Sequence, residues 1–357
     1  LSAAAAPARS RLRFLLAVLV SVGAGGWFVS GVQWTELAAR LGDVRPAWVA
    51  GAVLILLGEF VLRAARWRVL LRPIGPPARL ADLFAAQVIG AAANTLFPLR
   101  AGEVAKPLVA ARRTGLPFAS ILATAVLERV FDLFGLLFVL LLMVISLPAS
   151  AGAEGELVTN LKLYGGLFGL AALVGLGLIT AVVARDSVLR AFVFTQLGRL
   201  PMAVRRPILR IFDAFILGFQ VVRDPAALGK AALLSIWLWV NGAIAIALLF
   251  VALGVELPFG AACFTAVAIA LTVVLPQAPG FLGVFQVAME KTMVLWGQDL
   301  ATAQGFAILF WAVSFLPVTA VGILSMMQEG LTAAALDQAA WPVQAPADAL
   351  PPRTTSE

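Results

Sequence analysis

The sequence predicts an all-α polytopic membrane protein with six full spans and two re-entrant broken helices, arranged as two inverted-topology halves. Three observations lead there. First, 62% of the 357 residues are hydrophobic and 13% are charged, with a mean hydropathy of +0.99, whereas soluble chains hold about 45–50% apolar and roughly 25% charged residues. Second, six apolar runs reach the about 20 residues that a helix needs to cross about 30 Å of hydrocarbon, with no strand-like alternation. Third, two further apolar stretches stop at proline and glycine where a crossing would have to continue.

The six runs lie at about residues 12–32, 47–65, 117–146, 163–184, 230–254 and 302–327. The first is too long for a signal-peptide core and lacks a small-x-small cleavage site, so it reads as a retained span. The broken stretches, about 81–97 and 260–275, run into Phe97-Pro98-Leu99-Arg100-Ala101-Gly102-Glu103 and Leu275-Pro276-Gln277-Ala278-Pro279-Gly280. Arg63, Arg66, Arg68, Arg72 and Arg79 precede the first and Arg112 and Arg113 follow it, so the positive-inside rule puts both of its ends on the cytoplasmic side. Glu256, Glu290, Lys291 and Asp299 flank the second with no cationic excess, which makes its ends external. Reading both as re-entrant keeps Arg9, Arg11, Arg13 and the basic segment 185–230 inside, and puts both termini on the cytoplasmic side of the cell (inner) membrane.

Each half then holds two spans, a re-entrant element with Pro-x-x-x-Gly (Pro98 to Gly102, Pro276 to Gly280) and a last span. An odd number of crossings returns the second half upside down, as in many secondary transporters. Chance recurrence of a five-residue pattern is the alternative. The expected organisation is a single membrane domain over 1–328, with halves at about 10–150 and 160–328, and a disordered tail at 329–357 that carries Pro342, Pro346, Pro351 and Pro352. Segment 201–224 is basic and amphipathic, with Arg205, Arg206 and Arg210 among Phe212, Phe215 and Phe219. It suits a helix lying on the cytoplasmic face against anionic lipid, or a linker packed on the bundle.

Composition removes most catalytic templates. With no histidine and only Cys263, a Ser/His/Asp or Cys/His triad, a His-ligated or multi-cysteine metal and an internal disulfide are excluded. No cofactor or metal is expected. Net charge is +7, from 26 Lys+Arg against 19 Asp+Glu, and the lysines are only Lys106, Lys162, Lys230 and Lys291. Arginine is the better planar phosphate ligand, so this balance points to anionic lipid headgroups and not to nucleic acid.

Charges inside apolar runs mark the candidate site. Glu128-Arg129-Val130-Phe131-Asp132 begins about ten residues into the 117–146 run, roughly 15 Å deep. Unpaired, three such charges cost on the order of 7–10 kcal/mol. Glu128 and Asp132 share a helical face, and Arg129 is within ion-pair reach of Asp132. They form either a structural ion-pair network or the polar lining of a headgroup path. Glu59, Arg63 and Arg66 read instead as a span end whose arginines snorkel to the interface.

Around the first break, a helix restarting at about Gly102 would leave free N–H groups beside Arg100, an anion site. Glu103 either caps those groups or pairs with Arg100 or Arg129, Lys106 adds a movable cation, and Asn94 can satisfy carbonyls freed by the break. In the second half, Gly280 and Gly283 after Pro279 allow close backbone approach and a helix restart, with Gln277 and Gln286 as neutral donors. A hinge or packing role for both breaks is the alternative.

With these residues laid out, the chain resembles the lysylphosphatidylglycerol synthase transmembrane-region family, a flippase-like polytopic domain. The resemblance rests on Asn94-x-x-x-Pro98-x-Arg100-x-Gly102-Glu103-x-x-Lys106, on Glu128-Arg129-x-x-Asp132, and on Pro276-x-x-Pro279-Gly280-x-x-Gly283-Val284-Phe285, and covers about residues 10 to 328. It departs from the family pattern at Lys106, Phe281 and Gln286. It implies movement of aminoacylated or glycosylated lipids between leaflets, and some members form the membrane half of a lipid aminoacyltransferase. The soluble synthase half has no counterpart among these residues, so aminoacyl transfer by this stretch alone is not expected.

The leading expectation is a lipid translocase, not an enzyme, that binds a phosphate-containing headgroup. Its partners would be membrane lipids: an anionic or aminoacylated phospholipid or a lipid-linked sugar. The site would be Asn94, Arg100, Gly102, Glu103, Lys106, Glu128, Arg129, Asp132, Pro276, Gln277, Pro279, Gly280 and Gly283. The alternative is a non-transporting partner or regulator of an envelope-lipid synthase. A third reading, an intramembrane lipid-phosphate enzyme using Glu103 and Asp132, lacks an Asp-x-Asp metal pair and a sizeable loop for a donor.

Overall fold

A computed structural model describes residues 28–97 apart from 33, then 100–146, 185–197, 201–274 and 279–328, with isolated positions within 23–26 and 163–181. Pro98, Pro276, Gln277, the tail 329–357 and most of the runs at 12–32 and 163–184 lie outside the described residues. The described residues form helices and no strand: α1 (Trp34–Gly42), α2 (Pro46–Leu71), α3 (Leu80–Leu96), α4 (Gly102–Thr114), α5 (Phe118–Ser146), α6 (Asp186–Gln196), α7 (Met202–Gly218), α8 (Pro225–Ala252), α9 (Phe259–Val274), α10 (Val284–Leu295) and α11 (Leu300–Gln328).

Four of the six apolar runs are thus helices α2, α5, α8 and α11. Three of these, α2, α8 and α11, are long and apolar enough to cross a membrane. Helix α5 is as long as α11, 29 residues, and differs in carrying Glu128, Arg129 and Asp132. The broken stretches are the shorter apolar helices α3 and α9, each followed at once by a second short helix that packs back against it, α4 and α10. The basic segment is α7 with a following turn of 3-10 helix, Gln220–Arg223, packed on α5.

The two halves repeat with a constant shift. Arg100 and Phe281 are the non-glycine residues with left-handed backbone among those described, both at φ 56°, and they stand 181 positions apart (281 less 100). The same shift carries α2 onto α8, α3 onto α9, α4 onto α10 and α5 onto α11, with each boundary matching to within three residues. Sequence alone pairs Pro98–Gly102 with Pro276–Gly280. The backbone corrects that register by three residues: the counterpart is Pro279–Gly283, again Pro-x-x-x-Gly, because the left-handed residue in each turn is the one two before its closing glycine.

The equivalent helices α2 and α8 lie side by side and antiparallel. Arg45 N–H donates to Ala252 O (2.9 Å), Asn241 Nδ2 donates to Ile55 O (3.1 Å), and Arg66 reaches Ser235 (2.8 Å), so position rises along one helix as it falls along the other. Helix α3 packs on α11 and α9 packs on α5, each hairpin lying against the last helix of the other half. The 279–281 turn in turn touches α3.

Close approach within the first hairpin depends on one residue. A Cβ on Gly102 would stand 1.8 Å from Gly90 O and 2.7 Å from Asn94 Oδ1, with both obstacles on α3. Only a residue without a side chain lets α4 restart this near α3, and the restart aims Glu103 and Lys106 at α5. Gly102→Ala is therefore expected to cost about 1–3 kcal/mol or more by overpacking, read as a lower melting temperature in detergent. Gly115→Ala, whose added Cβ meets nothing within 4 Å but whose φ is +71°, separates backbone strain from crowding. A melting temperature for Gly102→Ala equal to that of the unsubstituted protein would contradict the packing.

Candidate functional site

Most of the charges that the sequence places in apolar surroundings converge on one point between α2, α4 and α5. Arg66 on α2 is 1% exposed. Its Nη1 donates to Asp132 Oδ1 (2.6 Å) and to Ser235 Oγ on α8 (2.8 Å), and Nη2 donates to Glu128 Oε1 at 3.5 Å. Glu128, 3% exposed, also accepts from Lys106 Nζ on α4 and, at 3.4 Å, from Gln87 Nε2 on α3. Lys106 Nζ stands 4.5 Å from the ring centroid of Trp67, a cation–π contact, and the Trp67 indole N–H donates to Thr124 Oγ1 at 2.9 Å. Five helices are therefore tied through two carboxylates.

Local packing makes this geometry reachable. Gly135 on α5 lies so close to α8 that a Cβ there would stand 2.1 Å from Trp239 Cδ1 and 2.7 Å from Ser235 O. That approach brings Ser235 to Arg66. Ser235 Oγ also donates to Ala231 O one turn back, so its lone pairs face the guanidinium.

A second, more open layer lies at the first hairpin turn. Arg129 Nη2 donates to both Glu103 oxygens at 2.7 Å, and its Nη1 lies 3.7 Å from Asp132 Oδ2. The Arg129 side chain is 59% exposed and that of Glu103 41%, against 4% for Glu128. Arg100 approaches Glu103 at 3.6 Å, and its Nε is buried without a partner, as is Asn94 Oδ1 beside Gly102. Across both layers Arg66, Arg100, Lys106 and Arg129 face Glu103, Glu128 and Asp132, four cations against three carboxylates.

The sequence-predicted residues therefore divide. Asn94, Arg100, Gly102, Glu103, Lys106, Glu128, Arg129 and Asp132 come together. Gly280 and Gly283 do not join them: Gly280 O accepts from Trp311 Nε1 (2.7 Å), Phe281 stacks on Phe315 with centroids 4.7 Å apart, and Gly283 N–H donates to Gln286 Oε1 (2.7 Å). Gln286 Oε1 thus caps α10 as an acceptor. Pro279 begins this turn, and Pro276 and Gln277 lie outside the described residues. The sequence places neutral donors and close backbone approach at the second turn, and its described residues are held by aromatic side chains.

Arg66 is the residue that sequence reasoning missed. Its place near a span end groups it with snorkelling arginines, yet it lies five positions inside the end of α2 and is buried in the bundle. The signal was present: Glu128 and Asp132 lie deep in one apolar run with Arg129 as the one cation beside them in sequence, so a further partner has to come from another helix. Glu59, Arg63 and Arg66 also share a helical face; Arg63 Nε donates to Glu59 Oε1 at 2.9 Å.

Comparison with known proteins agrees with the resemblance. The family described as "Lysylphosphatidylglycerol synthase TM region" matches residues 14–322. The chain is 28% identical over 344 residues to "Glycosyltransferase AglD" of Haloferax volcanii, a match covering 89% of this chain and 54% of that protein. It is 26% identical over 286 residues to a "UPF0104 membrane protein" of Methanothermobacter thermautotrophicus, covering 77% of this chain and 81% of that one. The chain thus spans about half the length of the Haloferax relative. No solved structure matches it.

The two layers predict different mutational costs. Arg66→Ala removes the nearest counter-charge of Asp132 and the more distant of two cations on the buried Glu128, and is expected to destabilise by about 3–5 kcal/mol. Arg129→Ala breaks an exposed pair and is expected to cost about 1 kcal/mol or less. Thermal melts of the two variants in the same detergent measure the difference. Equal losses would show that the layers are not distinct.

Proposed function

The chain belongs to the lysylphosphatidylglycerol synthase transmembrane-region family, and from that premise we propose that it is an integral membrane lipid translocase. The observation that carries the reading is the Arg129–Glu103 pair. It is half-exposed, yet it sits on helices whose neighbours are apolar and rests directly on a buried ion network. Such a pair is stable in a bilayer only where it faces water or a polar headgroup. The cluster's one unit of excess positive charge suits a phosphate, and Arg100 Nε and Arg129 supply donors for it.

In this reading six spans and two re-entrant hairpins form inverted halves in the cell membrane, with both termini cytoplasmic. The constant shift between the halves and the antiparallel pairing of α2 with α8 support it. The headgroup of an anionic, aminoacylated or glycosylated lipid enters at the first hairpin while its acyl chains stay in the bilayer. The Gly280–Gly283 turn, seated on Trp311 and Phe315, serves as the dry surface against which the charged hairpin moves. The chain performs no bond chemistry on the lipid.

A second reading is favoured by one comparison. Because the chain matches about half of a protein named as a glycosyltransferase, it can instead serve as the membrane partner of an enzyme that modifies envelope lipids. Vesicles holding the purified protein and a panel of fluorescent phospholipids separate the two. Translocation predicts leaflet exchange above empty vesicles, lost in Arg129→Ala at an almost unchanged melting temperature. Exchange no faster than in empty vesicles across the panel would leave the partner role.

A further inference from the structure

The shift of 181 residues makes the two ends of the α2–α8 pair comparable, and they differ in charge. At the C-terminal end of α8, a cavity of about 580 Å³ is lined by Ala247, Phe250, Val251, Leu257 and Phe259, with Glu256 as its charged group. At the C-terminal end of α2, beside the start of α8, a cavity of about 370 Å³ is lined by Val69, Leu80 and Leu234, and by Arg68, Arg72 and Lys230. Both arise from one feature of the repeat, the wedge between a long helix and the short helix that follows it. Since α2 and α8 are antiparallel, the two cavities lie at opposite ends of the pair.

Arg68, Arg72 and Lys230 are exposed, and no acidic side chain pairs with any of them among the described residues. They differ in this from Arg79 and Arg113, which both bind Asp82 nearby. Further along the same two helices, Val61 on α2 and Leu233 and Trp237 on α8 are exposed apolar side chains. Cations at a helix end above an apolar seam match a phospholipid, with phosphate at the helix ends and acyl chain along the seam.

We propose that this wedge is a binding site for an anionic membrane phospholipid, separate from the Arg129–Glu103 layer, which bridges the two halves by holding Arg68 and Arg72 of one and Lys230 of the other to a single phosphate. The site rests on the membrane-spanning character of α2 and α8 and not on the transport reading. An occupied site stiffens the seam that also carries Arg66 and Ser235.

The test uses the full chain in nanodiscs of phosphatidylcholine with and without phosphatidylglycerol, followed by native mass spectrometry of the lipid that stays bound after release into detergent. The unsubstituted protein should retain phosphatidylglycerol in preference to phosphatidylcholine. Each neutralisation should weaken retention roughly five-fold, so that R68Q/R72Q/K230Q retains roughly a hundred-fold less. R206Q/R210Q, which removes two exposed cations from α7, should retain as much as the unsubstituted protein. Should the triple variant fail to fold, as judged by its melting in phosphatidylcholine alone, K230Q carries the same comparison. Absence of a phosphatidylglycerol preference, or equal loss in R206Q/R210Q, would overturn the proposal and leave only a diffuse attraction of anionic lipid to a basic surface.

Discussion

A buried guanidinium must be neutralised where it lies, and in this protein that requirement organises the first half. Arg66 is taken almost wholly out of solvent, and the cost of doing so is offset only by Asp132, Glu128 and Ser235 converging on it. Those partners come from α5 and α8, and Glu128 in turn draws in Lys106 from α4 and Gln87 from α3. Helix packing between apolar surfaces in lipid has little hydrophobic drive of its own, so such polar ties specify which helices meet and in what register. The half-exposed Arg129–Glu103 layer can be held steady because the layer beneath it is locked.

The repeat makes the asymmetry of that network informative. Under the 181-residue shift between Arg100 and Phe281, Arg66 corresponds to Ala247, Lys106 to Val287, Glu128 to Leu309, Arg129 to Phe310 and Asp132 to Val313. Each charge in one half has an apolar counterpart in the other, and the space is filled by Phe281, Phe285, Phe310 and Phe315 in mutual ring contact. Two copies of one backbone thus perform different physical tasks. One copy supports a charged hairpin turn, and the other supports an aromatic one fixed by Trp311 and Gln286.

Much of this was legible in the sequence. Helix type and the positions of α2, α5, α8 and α11 follow from the length of apolar runs, and both broken helices follow from proline and glycine. The restart at Gly102 follows from the proline before it, while the pairing of Glu103 with Arg129 is one of the alternatives that the sequence leaves open. What did not follow depends on contacts between distant helices. The register of the repeat is fixed by left-handed backbone at Arg100 and Phe281, which residue type does not announce, since neither is glycine. Arg66 sits near enough to a helix end to resemble an interfacial cation, and only the proximity of α5 and α8, set by Gly135, shows that it faces inward. The second hairpin turn shares the Pro-x-x-x-Gly pattern of the first, and the side chains around it decide that it holds no charge.

The central claim is that one hairpin turn is hydrated inside the membrane while its repeat-mate is dry. Ala101 and Leu282 are equivalent positions next to the glycines that end the two turns. Ala101→Cys and Leu282→Cys, each in a Cys263→Ala background, can be exposed in intact vesicles to a charged, membrane-impermeant methanethiosulfonate, which reacts with the thiolate in water. The account predicts modification of Ala101→Cys and protection of Leu282→Cys; protection of both, or equal modification of the two, would contradict it.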